Sequence, residues 1–119
     1  MKTMNELIKI NIFELTGGKS AISIEDGQLL FQRIDKAIQS QLNIELDFSN
    51  IEIITSTFLN SAIGNLYSKY SSDELKKHLK TRGLNDDDRE LLIQVIENAK
   101  KYFALTEEQK EQIHSVLEE

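Results

Sequence analysis

The chain has no cysteine, which excludes disulfides and thiolate metal sites and suits a reducing cytoplasm. Long apolar runs are missing too. Met1-Lys2-Thr3-Met4-Asn5-Glu6 lacks the apolar core of a signal peptide, and no later stretch approaches the roughly 18 residues needed to span a bilayer. A cytoplasmic protein without membrane attachment is expected. Positive charge is scarce: 14 basic against 20 acidic residues leave a formal charge of −6, which opposes non-specific attraction to phosphate backbones. No nucleic-acid role is expected. The best basic cluster, Lys76-Lys77-His78-Leu79-Lys80-Thr81-Arg82, has no interleaved aromatics for base stacking. It reads as solvated surface, with docking of an acidic partner as the alternative.

Catalytic signatures are equally sparse. There is no Gly-x-Ser-x-Gly elbow, and His78 and His114 stand far apart, neither in a His-x-x-x-His or His-Glu pairing. Both read as surface residues. Thr16-Gly17-Gly18-Lys19-Ser20 imitates the end of a phosphate-binding P-loop, but Phe13 stands where the motif needs its first Gly. Asp86-Asp87-Asp88 lacks the alternate spacing and the Gly of a calcium loop, so it reads as stabilisation of a helix N-terminus. Neither a metal nor a cofactor is expected.

What is present is patterned. The 119 residues are 39% hydrophobic and contain no internal repeat, which fits one folded domain. Ile8, Ile10, Ile12 and Leu15 alternate with polar residues up to Gly17-Gly18, and Ala21, Ile22 and Ile24 follow. A β-hairpin is the simplest connection. After the cap-forming residues 23–26, Leu30, Ile34, Ala37, Ile38 and Gln41 fall at helical spacing, with Phe31 widening the buried face. Ile44, Leu46 and Phe48 alternate as a half-buried strand, and Ile51, Ile53 and Ile54 continue the β-branched run. Leu59, Ala62, Ile63, Leu66, Tyr67 and Tyr70 then lay one stripe along a helix from about Ser56 to Tyr70.

Further on, Ser71 and Glu74 form a capping box for a short helix over 73–78. Leu79, Thr81 and Leu84 make a last strand ended by Gly83. Asn85 and the three aspartates open a long helix with Leu92, Val95, Ile96, Ala99 and Phe103 inward and Leu91 and Tyr102 at its edges. From Thr106 an acidic segment carries a narrow stripe of Ile113, Val116 and Leu117. That stripe either packs back on the domain or joins a second chain as a homodimer.

The changeover from strand to helix falls on Thr55-Ser56-Thr57, three hydroxyls placed where the first helix N–H groups need acceptors. Helix capping is one reading. The other is a phosphorylation switch, since a phosphate there is tolerated by the exposed N–H groups yet repels an acidic partner or breaks an apolar interface. Asp47, near the strand end, reads as a hydrogen-bonding partner of the following turn, with a base as the alternative.

The segment from Leu46-Asp47-Phe48 through Ile54 and Thr55 to Phe58-Leu59 resembles the central strand and helix start of STAS domains, the fold of anti-sigma-factor antagonists. It is closer still to the STAS-like family DUF4325, with its Leu-Asp-Phe strand and Ile-x-x-x-Phe helix start. The resemblance covers residues 8–103. It implies an α/β fold, a small mixed sheet of about four strands with helices mainly on one side. Residues 1–105 would form the domain and 106–119 an acidic helical extension.

Against the antagonist motif Asp-Ser-Ser-Gly the chain reads Thr55-Ser56-Thr57-Phe58, without the acidic residue and the Gly. The resemblance makes Thr57, then Ser56, the phospho-acceptor candidates. It implies a non-enzymatic regulatory module that meets its partner, a histidine-kinase-type ATPase in the better-known relatives, through Thr55, Ser56, Thr57, Asn60 and Ser61. The alternatives are a small enzyme using Asp47 with the 55–57 hydroxyls, and a self-associating structural subunit.

Overall fold

A computed structural model describes residues 7–104. The acidic extension at 106–119, with Ile113, His114, Val116 and Leu117, lies outside the described residues. The elements run β1 (Leu7–Asn11), α1 (Ile12–Thr16), β2 (Ser20–Ala21), α2 (Ile24–Gln39), β3 (Asn43–Asp47), β4 (Ile53–Ile54) and α3 (Ser56–Ala62). A 3₁₀ turn (Gly64–Ser68), α4 (Ser72–His78), β5 (Leu79–Arg82) and α5 (Asp86–Phe103) follow. Among the described residues no helix is long and apolar enough to cross a membrane.

The α/β architecture holds, with about the expected number of strands, but the pairing is parallel where a mixed sheet is expected. β1-β3-β5 form one sheet and β2-β4 a second, smaller one. The hairpin does not form, and its absence has a local cause. Asn11 Oδ1 accepts from Glu14 N–H at 2.9 Å, capping a single helical turn before the alternation of Ile8 and Ile10 can extend to Ile12. Gly17 then closes that turn in the left-handed region at φ 81°, its N–H donating to the Phe13 carbonyl. Gly17-Gly18 therefore end a helix rather than turn a hairpin. Likewise Ser23 Oγ accepts from Asp26 N–H at 3.0 Å, so Ile24 opens α2 instead of extending a strand.

β3 is the centre of the main sheet, and its two faces differ. Ile44 and Leu46 are fully buried, as is Phe48 just beyond the strand. Asn43, Glu45 and Asp47, on the other face, are half-buried. Register places Lys9, Glu45 and Lys80 side by side on that face, and beside them Asn11, Asp47 and Arg82, so opposite charges sit directly across strands. Parallel sheets are ordinarily covered on both faces. Here the apolar side packs against Leu30, Ile34 and Ile38 of α2, Phe58, Leu59 and Ala62 of α3, and Leu92 and Val95 of α5 in one core.

The helix expected over 56–70 is shorter than its stripe. It ends at Ala62 and tightens into the 3₁₀ turn. At Gly64, the first residue of that turn, an added Cβ would sit 3.2 Å from Asn60 Oδ1 and 3.5 Å from Val95 Cγ1. The chain draws close to α5 there, and the stripe stays buried through Ile63 and Leu66 although the winding changes. Lys69 Nζ and the Tyr70 hydroxyl then reach Asp35 of α2, at 2.8 Å and 2.5 Å. The capping box of α4 forms as expected, Ser71 Oγ accepting from Glu74 N–H and Glu74 accepting from Ser71 N–H. Asn85 caps α5 through Asp88 N–H at 2.8 Å.

One residue departs from the surface reading. His78 is buried, its Nδ1 3.2 Å from Asn43 Oδ1. It is the last residue of α4, and the next one, Leu79, pairs with Ile44 in the sheet, which carries the imidazole in against β3.

Candidate functional site at the strand-to-helix junction

The junction between β4 and α3 is tied to the chain that links β2 to α2. Thr55 N–H donates to the Ala21 carbonyl at 3.1 Å. Thr55 Oγ1 accepts from Phe58 N–H and donates to the Ile22 carbonyl, both at 3.2 Å. Thr55 is thus the N-cap of α3 and a strap to its neighbour at once. Ser61, near the C-terminal end of α3, is buried and donates to the Ile24 carbonyl at 3.1 Å. Both hydroxyls are consumed in holding α3 against α2. The approach is close because α2 has Gly27 there, where a Cβ would lie 2.6 Å from Ser61 Cβ and 2.9 Å from the Phe58 carbonyl oxygen.

Ser56, Thr57 and Asn60 are differently placed. All three are exposed, and Ser56 and Thr57 occupy the first two positions of α3. Phe58, which stands where antagonists have Gly, is fully buried. Its bulk is turned into the core and leaves the outer surface of the junction open. Three large apolar residues on the segments that meet at the junction are exposed: Ile22 (47%) and Ile24 (51%), whose carbonyls accept from Thr55 and Ser61, and Ile53 (54%) in β4. The alternation and β-branched run suggested strand residues at all three. β2 and β4 are each only two residues long, so the apolar run outlasts the strands and is presented to solvent. The Ser23 cap was the sequence signal for Ile24, since it puts that residue in an exposed first helical turn.

Asp47 stands apart from these hydroxyls. Its Oδ1 accepts from Ser49 N–H at 2.9 Å, closing the turn that follows β3. The Ser49 side chain and then its backbone hold the carboxyl below the usual Asp range, helped by the charges of Arg82 and Lys9. A carboxylate so stabilised is a weaker base. Among the described residues no hydrogen bond joins Asp47 to Thr55, Ser56 or Thr57. Nor does any group of three or more His, Asp or Glu side chains there stand close enough to hold a metal ion.

No curated protein and no solved structure matches the chain at a significant level. A family does. The STAS-like domain of unknown function, DUF4325, matches residues 26–89, from the first turn of α2, across β3, the 55–61 junction and β5, into the first turn of α5. With more than half of its length matched, and with a small parallel sheet packed by helices around its junction, the chain belongs to the STAS-like DUF4325 family.

Proposed function

We propose that this chain is a non-enzymatic regulatory module that binds a protein partner through the outer surface of the β4–α3 junction. The carrying observation is the composition of that surface. Ser56, Thr57 and Asn60 are exposed, as are the isoleucines Ile22, Ile24 and Ile53 of the segments that meet at the junction, while the neighbouring Thr55 and Ser61 are locked into the scaffold. Apolar side chains gathered round polar ones on a rigid support are what a partner surface requires. Thr57 is the switch residue, with Ser56 second. A phosphate on Thr57 would add a charge of about −1.5 to −2 to the outer surface of the junction, opposing an apolar contact there. α3 also carries Phe58 and Leu59 into the core, so its modification would act on the partner rather than unwind the helix.

The partner class in better-known STAS domains is a histidine-kinase-type ATPase, and an ATPase of that type from the same genome is the first candidate to titrate. Its affinity for the wild type, Thr57→Ala, Thr57→Glu and Ile53→Asp is the test. Thr57→Ala should bind like the wild type, and Thr57→Glu and Ile53→Asp should bind at least about tenfold more weakly, the scale of one lost contact worth about 1.4 kcal/mol. Equal binding by all four, with no phosphopeptide covering 55–57 after incubation with the kinase, would leave Thr55 as a helix cap and Ser56 and Thr57 as solvated residues with no switching role.

A further inference from the structure

The main sheet ends on one side at β1. Among the described residues that strand pairs with β3 alone, and no other backbone hydrogen bond reaches residues 7–10. Alternate residues of the strand thus turn their N–H and C=O groups outward without a backbone partner. Between β1 and α2 lies a groove of about 320 Å³. Ile8, Ile10 and Leu42 make its apolar part, and the exposed Lys9, Arg33 and Lys36 stand with them. Among the described residues no carboxylate lines it, and none of the junction residues at 55–61 belongs to it. Three positive charges gather here in a chain whose formal charge is −6, so the local field runs against that of the whole molecule.

We propose that the β1 edge and its groove bind an acidic, extended segment of a partner protein, which adds to the sheet as a further strand. The free edge supplies the backbone hydrogen bonds. A strand laid there presents alternate side chains to the two faces of the sheet. One set meets the groove beside Ile8 and Ile10, and the other lies across from Lys9, where an acidic residue makes a favourable cross-strand pair. Arg33 and Lys36 attract the same charge. A second copy of this chain is the poorer occupant, because pairing through the same edge would bring Lys9, Arg33 and Lys36 of both copies together. A nucleic acid is poorer too: its phosphates carry no N–H for the free β1 carbonyls, and the net charge of −6 opposes it.

The probe is a fluorescein-labelled peptide of alternating glutamate and valine, Glu-Val-Glu-Val-Glu-Val-Glu, titrated with the full chain and followed by anisotropy. Only alternate residues of an added strand turn their N–H groups toward β1. N-methylation of the glutamates and N-methylation of the valines should therefore differ, one weakening binding at least about tenfold more than the other. Arg33→Glu combined with Lys36→Glu, both at exposed positions, should weaken binding by about tenfold or more while leaving the circular dichroism spectrum unchanged. Inorganic polyphosphate carries negative charge without amides and should bind at least about tenfold more weakly than the peptide. Failure of the unmethylated peptide to bind, equal losses from the two methylated sets, or unchanged binding by the charge-reversed variant would each overturn the proposal. Polyphosphate binding as tightly as the peptide would overturn it as well, giving the surface to a phosphate backbone instead.

Discussion

Gly27 lies inside α2, where helix propensity alone favours alanine by about 1 kcal/mol. Tertiary contact reverses that preference. An alanine Cβ would meet Ser61 Cβ at 2.6 Å and the Phe58 carbonyl at 2.9 Å, and the second of these is backbone that cannot rotate away. Gly27→Ala should therefore destabilise by about 1–3 kcal/mol in urea unfolding, and a gain in stability would show that α2 and α3 stand further apart. Gln41 presents the opposite case. It holds φ at 61° just after α2, a left-handed conformation that costs an L-residue about 1–2 kcal/mol. Gln41→Gly should raise stability by roughly 1 kcal/mol in the same assay, less the greater entropy of glycine in the unfolded chain.

At the scale of elements, β3 and α3 bury their apolar patterns in one shared core, and neither would be stable alone at such length. Leu46 is fully buried in that core, so Leu46→Ala should cost about 2–5 kcal/mol. A loss below about 0.5 kcal/mol would mean that the buried face of β3 is the other one. The junction hydroxyls separate by role in the same measurement. Thr55 caps α3 and bonds to the Ile22 carbonyl, and Thr55→Ala should cost about 1–2 kcal/mol. Thr57 is exposed and its replacement by Ala should stay within about 0.5 kcal/mol. Equal losses at the two positions would contradict the division between scaffold and partner surface.

At the scale of the whole molecule, stability should depend on pH through Asp35. The hydrogen bond from Lys69, then that from Tyr70, holds its carboxyl below the ordinary value of 3.8. A carboxyl lowered by folding binds fewer protons folded than unfolded, so its contribution is present above the ordinary Asp range and is lost as pH falls through the folded value. Tyr70 moves the other way. Burial first, and the hydrogen bond to Asp35 second, raise it above 10.0, so its contribution is present below the ordinary tyrosine range and is lost as pH rises through the folded value. Urea unfolding across pH should show the wild type weakening below about pH 4. Asp35→Asn should flatten that acid limb while lowering stability at pH 7. An unchanged acid limb in the variant would assign it elsewhere, with Asp47, also lowered, the next residue to replace.

Sequence by itself determined the parts whose physics is local. The caps at Ser23, Thr55, Ser71 and Asn85, the apolar stripes of α2, α3 and α5, and the alternation of β3 all follow from spacing and hydrogen-bonding chemistry within a few residues. The changeover at Thr55 was legible for the same reason. Tertiary structure decided what depends on partners distant in the chain. It paired β1 with β3 and β2 with β4 instead of folding a hairpin, because a short helical turn at Ile12 separates β1 from β2, and such a turn and an extended strand can begin with the same alternation. It turned Ser61 and His78 inward, and it left Ile22, Ile24 and Ile53 in solvent. An apolar side chain carries no mark of whether a neighbour will cover it. Burial is set by the approach of α2 to α3 and the short reach of β2 and β4, which residues remote in sequence impose together.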